Sequence, residues 1–191
     1  MEKIVLFDGS GLKGWKLRDG SPAAWDVHDG MMTVTHGDIL TEEEFGDVYF
    51  HVEFMEPDMP NESGQGKGNS GVYIQGAYEI QVLDSYGIEP PSKSDCGAIY
   101  QLIYPLANAC KPPLTWQTYD IIFRTARFEG TGLVEPARLT LLHNGVVIHN
   151  NAVLHRNTPG GVKDYAPKEG PLLLQDHGNP VSFRNIWSVR L

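Results

Sequence analysis

Cysteine is scarce in this chain: two residues, Cys96 and Cys110, among 191. That number excludes a dense disulfide scaffold and a four-cysteine metal ribbon. The pair could bridge in an oxidising compartment or stand as two free thiols. Basic residues are also few, 15 Lys and Arg against 24 Asp and Glu, for a formal net charge of −9. A duplex-binding surface needs a basic patch to displace counterions, so nucleic acid is a poor partner, and so is an anionic membrane surface. No stretch approaches the roughly 20 apolar residues that span a bilayer as a helix. Signal-peptide character is missing too. Phe7-Asp8-Gly9 already reads as domain sequence, which suits an intracellular protein or one whose leader has been removed. Helix signals are weak, Thr41-Glu42-Glu43-Glu44 reading as a capped helical turn at most. Also missing are His-Glu-x-x-His, Cys-x-x-Cys, a Gly-x-Ser-x-Gly elbow and a phosphate-binding glycine loop. His28, His36, His51, His143, His149 and His155 show no tight metal spacing, and Cys96 has no obvious local partner for thiol catalysis.

What is abundant is turn chemistry and strand pattern. Glycine (21) and proline (13) punctuate the chain. Asp29-Gly30 lies between Trp25–His28 and Met31–Val34, and Asn144-Gly145 between Leu142-His143 and Val146-Val147; both read as tight hairpins. Gly76-Ala77 between Gly71–Gln75 and Tyr78–Leu83 reads as a third. Val48–Phe54 alternates like a half-buried strand. Further strands are expected at Tyr119–Phe123, Ala137–Leu142, Pro171–Gln175 and Val181–Val189. The loop-like stretches 57–68 and 157–170 have the composition of functional rims. Many short strands in a chain of this length predict one all-β domain over residues 1–191. Its expected form is a two-sheet antiparallel jelly-roll sandwich with few short helical turns.

Three groups of residues could carry chemistry. On a strand, Glu79 and Gln81 share one face while Ile80 and Val82 share the other. A carboxylate beside an amide suits sugar hydroxyls, each of which both donates and accepts hydrogen bonds. An ordinary solvated strand face would look the same. Asp84 has the opposite parity unless the strand bulges or ends before it. Gln175 and His177 form the second group, with Arg184 downstream. His177 is the natural proton-transfer candidate near neutral pH, and Arg184 could hold an oxyanion. In the third group, Asn69 and Ser70 at a strand mouth could bind hydroxyls, and Trp116 could offer a stacking platform for a sugar ring. Turn capping and core packing are the commoner uses of such residues.

In order along the chain, Leu6-Phe7-Asp8-Gly9 with Leu12 and Gly14-Trp15, Asn69-Ser70-Gly71-Val72, Tyr78-Glu79-Ile80-Gln81 with Asp84, Gly97-Ala98-Ile99-Tyr100, Trp116, Asn144-Gly145, and Gln175-Asp176-His177-Gly178 with Phe183-Arg184-Asn185-Ile186 resemble the 3-keto-disaccharide hydrolase domain family. The resemblance implies a concanavalin A-like jelly roll with a concave sugar-binding face, bacterial chemistry on sugars oxidised at carbon 3, and a periplasmic or extracellular setting. It implies site residues Asn69, Glu79, Gln81, Asp84, Gln175, His177 and Arg184. The family is also a distant relative, by fold, of family 16 glycoside hydrolases, which set acids along one strand. Gln81 and Leu83 stand here at positions where those patterns need acids, which disfavours their double displacement.

The expected chemistry is cleavage of a 3-keto-glycoside by proton abstraction at carbon 2. Glu79 or His177 is the expected base, Arg184 the oxyanion stabiliser and Asp84 the acid or orienter. Asn69, Gln81, Gln175 and Trp116 would bind substrate. No cofactor is established from sequence; a divalent ion at Glu79, Asp84 and His177 could serve instead of Arg184. The alternative is a non-catalytic carbohydrate-binding module, since one fold hosts both. The expected partner in either case is a carbohydrate.

Overall fold

The computed structural model describes residues 2–191. In chain order its strands are β1 (Lys3–Phe7), β2 (Trp15–Leu17), β3 (Asp26–His28), β4 (Met31–Thr33), β5 (Ile39–Phe45), β6 (Val48–Met55), β7 (Ser70–Ile74), β8 (Tyr78–Val82), β9 (Gln117–Arg124), β10 (Arg127–Glu129), β11 (Gly132–Glu135), β12 (Ala137–His143), β13 (Val146–Leu154), β14 (Gly170–Leu174) and β15 (Ser182–Arg190). They build two antiparallel sheets and a separate β10–β11 hairpin. The larger sheet runs β13-β12-β9-β6-β15-β4-β3, with β1 also against β15, and the smaller runs β2-β5-β14-β7-β8. This is the all-β sandwich that the strand spacing predicts.

The hairpins form where backbone chemistry favours them. Asp29 and Gly30 have φ of 50° and 75°, and Asn144 and Gly145 have 52° and 80°. Positive φ at both central residues matches the right-handed twist of the flanking strands. The third hairpin differs from expectation: Gln75-Gly76-Ala77, three residues, connects Ile74 to Tyr78. Thr41–Glu44 also differs, lying in strand β5 rather than in a helical turn. Ile39 and Phe45 are fully buried, and the Thr41 hydroxyl accepts from the Leu172 N–H at 3.0 Å. Cross-sheet burial and that bond outweigh the local helical preference of three glutamates.

Alternation sets the layers. Val48, Phe50, Val52 and Phe54 of β6 point inward and are completely buried, while Tyr49, His51 and Glu53 face out. From the opposite sheet, Val72, Ile74, Ile80, Val82, Leu172 and Leu174 meet them in one apolar cluster. Each sheet therefore keeps one outer face. On the smaller sheet that face carries Tyr73, Glu79 and Gln81. These are buried as well, because loops fold over them.

Between β8 and β9 the chain makes a long excursion without strands. Part of it runs along β8 as an extra edge: Gly97 N–H donates to Gln81 O, Gln81 N–H to Ala98 O, and Tyr100 N–H to Glu79 O, at 2.9–3.1 Å. The strand bearing Glu79 and Gln81 is thus held on both sides. Among the described residues no helix is long and apolar enough to cross a membrane.

Candidate active site

β7 and β8 pair so that Tyr73 stands directly opposite Glu79 and Gly71 opposite Gln81. These four positions share the outer face of the smaller sheet. Gly71 is small for a reason of space. A Cβ there would lie 2.6 Å from Glu79 Oε1 and 2.9 Å from Tyr73 Cε2. Its hydrogen lets the Glu79 carboxyl lie across β7.

A cleft opens over this patch. It is lined by Gln65, Asn69, Tyr73, Glu79, Gln81, Tyr100, Pro159, Gly160, Gln175 and His177. The two loops expected to form functional rims supply its walls: Gln65 comes from 57–68, and Pro159 and Gly160 from 157–170. Gln175 and His177 come from the turn that follows β14.

Hydrogen bonds fix the Glu79 carboxyl. The Tyr73 hydroxyl lies 2.8 Å from Glu79 Oε2 and 3.1 Å from Pro159 O, and accepts from Gln175 Nε2 at 3.2 Å. Burial and the neighbouring carboxylate of Glu79 raise the Tyr73 phenol far above its ordinary value. It therefore stays a neutral donor. Turning the Gln81 amide gives its nitrogen two acceptors, Ser70 O and Glu79 Oε1, each at 3.1 Å. Glu79 is 3% exposed. Burial pushes its carboxyl up to about 7, with the Tyr73 hydrogen bond pulling it down and the charge of Asp38 adding to the rise. A carboxyl that changes charge near neutral pH is suited to move a proton.

The surrounding amides are positioned by their own bonds. Asn69 Nδ2 donates to Gln65 O at 2.7 Å, and Asn69 N–H donates to Asn179 Oδ1 at 2.8 Å. Gln175 uses its amide nitrogen on Tyr73, and its Oε1 is without a protein partner. The turn bearing His177 is locked by Asp176, which accepts from the N–H groups of Gly37 (2.7 Å) and Gly178 (2.8 Å). His177 itself is exposed at the rim. Arg18 donates to Asp38 at 2.6 Å and also to Gly160 O, tying the rim loop down.

The structure thus brings together Glu79, Gln81, Asn69, Gln175 and His177. It does not bring Asp84, Arg184 or Trp116 to them. β8 ends at Val82, and Asp84 turns away to pair with Lys67 Nζ at 2.9 Å. Arg184 lies on β15, on the outer face of the larger sheet, across the core from the cleft. There it donates to Glu53 at 2.6 Å and stacks 4.0 Å from the Trp116 ring centroid. These three candidates are corrected accordingly: an ion pair holds Asp84, and each other holds Arg184 and Trp116. The triplet Glu79, Asp84 and His177 does not converge as a metal-ligand cluster either. Among the described residues, the one group of three or more His, Cys, Asp or Glu with ligand atoms all within 4.8 Å is Cys96, Cys110 and His143.

Five lining residues escaped sequence reasoning: Gln65, Tyr73, Tyr100, Pro159 and Gly160. Tyr73 lies within the expected strand Gly71–Gln75 and Tyr100 within the stretch Gly97-Ala98-Ile99-Tyr100 that carries the resemblance, but their facing depends on register. Gln65, Pro159 and Gly160 carried no signal beyond the composition of their loops.

Comparison with known proteins agrees with this architecture. Residues 2–188 match the model of a family described as the 3-keto-alpha-glucoside-1,2-lyase-like domain. A solved structure from Parabacteroides distasonis ATCC 8503, described as a proposed glycosyl hydrolase, is 40% identical. It superposes with a TM-score of 0.90 over 99% of this chain and 84% of that one. A second protein from that organism, with the same description, is 19% identical with a TM-score of 0.70, covering 99% and 94%. The carbohydrate-binding module CBM66 from Bacillus subtilis shares the fold at 11% identity and a TM-score of 0.53, covering 92% and 96%. No curated protein matches significantly.

Proposed function

We propose, from the premise that this chain belongs to the 3-keto-alpha-glucoside-1,2-lyase-like domain family, that it is a glycosyl-hydrolase-like enzyme cleaving 3-keto-glycosides with Glu79 as the base. The observation that carries this reading is a nearly inaccessible carboxyl, poised near pH 7, in a cleft whose other polar side chains are amides, two phenols and the rim imidazole of His177. Uncharged donors and acceptors suit a neutral sugar.

The chemistry follows from the ketone. A carbonyl at carbon 3 acidifies the hydrogen on carbon 2. Glu79 takes that proton, and the electrons move into the C2–C3 bond and onto the carbon 3 oxygen. Gln81 and Asn69 line the cleft beside Glu79, and their side-chain amides would have to exchange a present hydrogen bond to donate to that oxyanion. The enediolate then collapses, the C1–O bond breaks, and a C1–C2 double bond forms. His177, at the open rim where an aglycone leaves, supplies the proton to the departing oxygen. The products are an unsaturated keto-sugar and a free aglycone hydroxyl. Water adding across the new double bond makes the outcome a net hydrolysis.

The test is turnover of a 3-keto-disaccharide by the wild type and by Glu79→Gln, with sugar binding measured alongside. Loss of turnover with binding kept is expected. Undiminished activity of Glu79→Gln would remove Glu79 as base. Binding of sugars by the wild type without turnover of any keto form would instead make the protein a carbohydrate-binding module.

A further inference from the structure

Away from the cleft, two thiols and an imidazole meet inside the fold. Cys96 comes from the excursion after β8, Cys110 from further along the same excursion, and His143 from the end of β12. One ligand atom of each lies within 4.8 Å of the other two. Cys96 is 2% exposed, His143 is fully buried, and Cys110 is half-buried. Both cysteines are free thiols.

The hydrogen bonds around His143 decide which of its nitrogens is available. Gln117 Nε2 donates to Glu56 Oε2 at 2.6 Å, and Gln117 Oε1 accepts the Lys111 backbone N–H at 2.9 Å. The amide is thereby fixed in orientation, and its oxygen faces His143 Nε2 at 2.8 Å. An amide oxygen only accepts, so Nε2 must carry the hydrogen. Nδ1 then holds a lone pair, and that atom is buried without a hydrogen-bond partner. It points towards the Cys96 loop: a Cβ built on Gly97 would stand 3.8 Å from it. A buried imidazole whose far N–H is tied through an amide to a carboxylate is the arrangement that orients histidine ligands for metals.

We infer that Cys96, Cys110 and His143 Nδ1 form a structural zinc site that staples the β8–β9 excursion to the larger sheet. Two thiolates and one imidazole are ligands that zinc favours. Bond lengths of about 2.3 Å to sulfur and about 2.0 Å to nitrogen put tetrahedral ligand atoms roughly 3.5–3.8 Å apart. Closure from the observed spacing asks for side-chain movement on the order of 1 Å. Tyr119 Oη at 3.1 Å and Glu56 Oε1 at 3.8 Å sit against Cys96 Sγ, and a water entering on the half-buried Cys110 side can complete four-coordination. The two thiols release their protons to solvent as the ion enters, so the divalent charge is matched by two thiolates in a dry setting. Cys110, at the surface side, is the entry point.

The site has a structural reach. The residues just after Cys96 hydrogen-bond along β8 to Gln81 and Glu79, and Tyr100 of the same segment lines the cleft. Zinc at Cys96 would fix that edge without touching the ligand.

The test uses the reduced full chain titrated with Co(II) and Zn(II), with native mass spectrometry and thiol counting. Expected are a single equivalent of metal, a thiolate-to-cobalt charge-transfer absorption and a zinc-dependent rise in Tm. All three should vanish in Cys110→Ser, whose half-buried position lets the fold survive, as circular dichroism would check. Glu79→Gln should leave the cobalt spectrum unchanged, which separates this site from any binding in the cleft. Failure of the reduced chain to bind metal while both thiols titrate would overturn the site. So would a Cys96–Cys110 disulfide that reductant cannot open in the folded chain, or cobalt binding that survives Cys110→Ser.

Discussion

Tyr73 reaches Glu79 directly across the β7–β8 ladder, its hydroxyl 2.8 Å from Oε2. The bond favours the ionised carboxylate, whereas burial favours the neutral acid. The two effects oppose each other, and burial wins, leaving the carboxyl at about 7. Removing the phenol hydroxyl removes the Tyr73 hydrogen bond that lowers it. In Tyr73→Phe the acidic limb of kcat/KM, which reports a base that must be ionised, is expected to move to higher pH. In the wild type activity should fall through pH 7, roughly tenfold for each unit below the midpoint. A pH–rate profile of both proteins on a 3-keto-disaccharide checks this. An unmoved limb would mean that Glu79 is not the titrating base.

The same carboxyl links catalysis to stability. Glu79 holds its proton more tightly in the folded chain, at about 7, than at its ordinary 4.5. Folding is therefore favoured while the group is protonated in both states, below about pH 4.5. That advantage is lost as pH rises towards and through 7, where the folded state must carry a desolvated charge. A shift of this size corresponds to up to about 3 kcal/mol above pH 7. Glu79→Gln can still accept from Tyr73 but carries no charge. It is expected to be more stable than the wild type at pH 8 and to lose that margin at pH 4.5. Urea denaturation at the two pH values measures the difference.

Space around the carboxyl gives an independent handle. A methyl group at position 71 would stand 2.6 Å from Glu79 Oε1 and 3.1 Å from its Cγ, so the carboxyl must move. Gly71→Ala should cost about 1–3 kcal/mol of stability through overpacking. Its kcat should fall well beyond what the residual folded fraction explains. Paired measurement of folded fraction and kcat separates the two losses.

How far these residues could be read from sequence depended on register. The parity of Glu79 and Gln81 was legible because Ile80 and Val82 between them are plainly apolar. Tyr73 was not, because a two-residue turn at Gly76-Ala77 would set it opposite Ile80, on the core side. The observed turn is one residue longer, and a shift of one residue reverses the face. Arg184 shows a different limit. Both sheets have an outer face, and alternation tells that a side chain points outward without telling which sheet it leaves. The Cys96, Cys110 and His143 cluster was hidden for a third reason. Its members are joined by a strandless excursion and a strand end, so no fixed spacing announces it. The turns at Asp29-Gly30 and Asn144-Gly145 needed only local backbone chemistry, and they were legible.

Distance from the cleft makes Arg184 a useful control. Its guanidinium is 42% exposed, bound to Glu53 and stacked on Trp116. An exposed ion pair contributes about 0–1 kcal/mol, and an exposed cation–π contact adds about 0.5–1 kcal/mol. Arg184→Ala should therefore lower stability by less than about 2 kcal/mol and leave kcat/KM unchanged. An oxyanion-stabilising arginine would instead cost on the order of a hundredfold or more in kcat. A large catalytic loss in a folded Arg184→Ala protein would move the chemistry to the outer face of the larger sheet.

His177 can be examined through the leaving group. It is exposed at the cleft rim on a turn that Asp176 holds in place. A group that protonates the departing oxygen matters most when that oxygen is a poor leaving group. His177→Ala should slow cleavage of a 3-keto-disaccharide about a hundredfold or more, within the usual range for a general acid. The same variant should cleave a 3-keto nitrophenyl glycoside nearly as fast as the wild type, because a nitrophenolate leaves without help. Equal losses on both substrates would instead place His177 in sugar binding, since binding to the glycone is common to the two. Glu79→Gln supplies the contrast. Abstraction of the carbon 2 hydrogen precedes departure of either group, so that variant should fail on both.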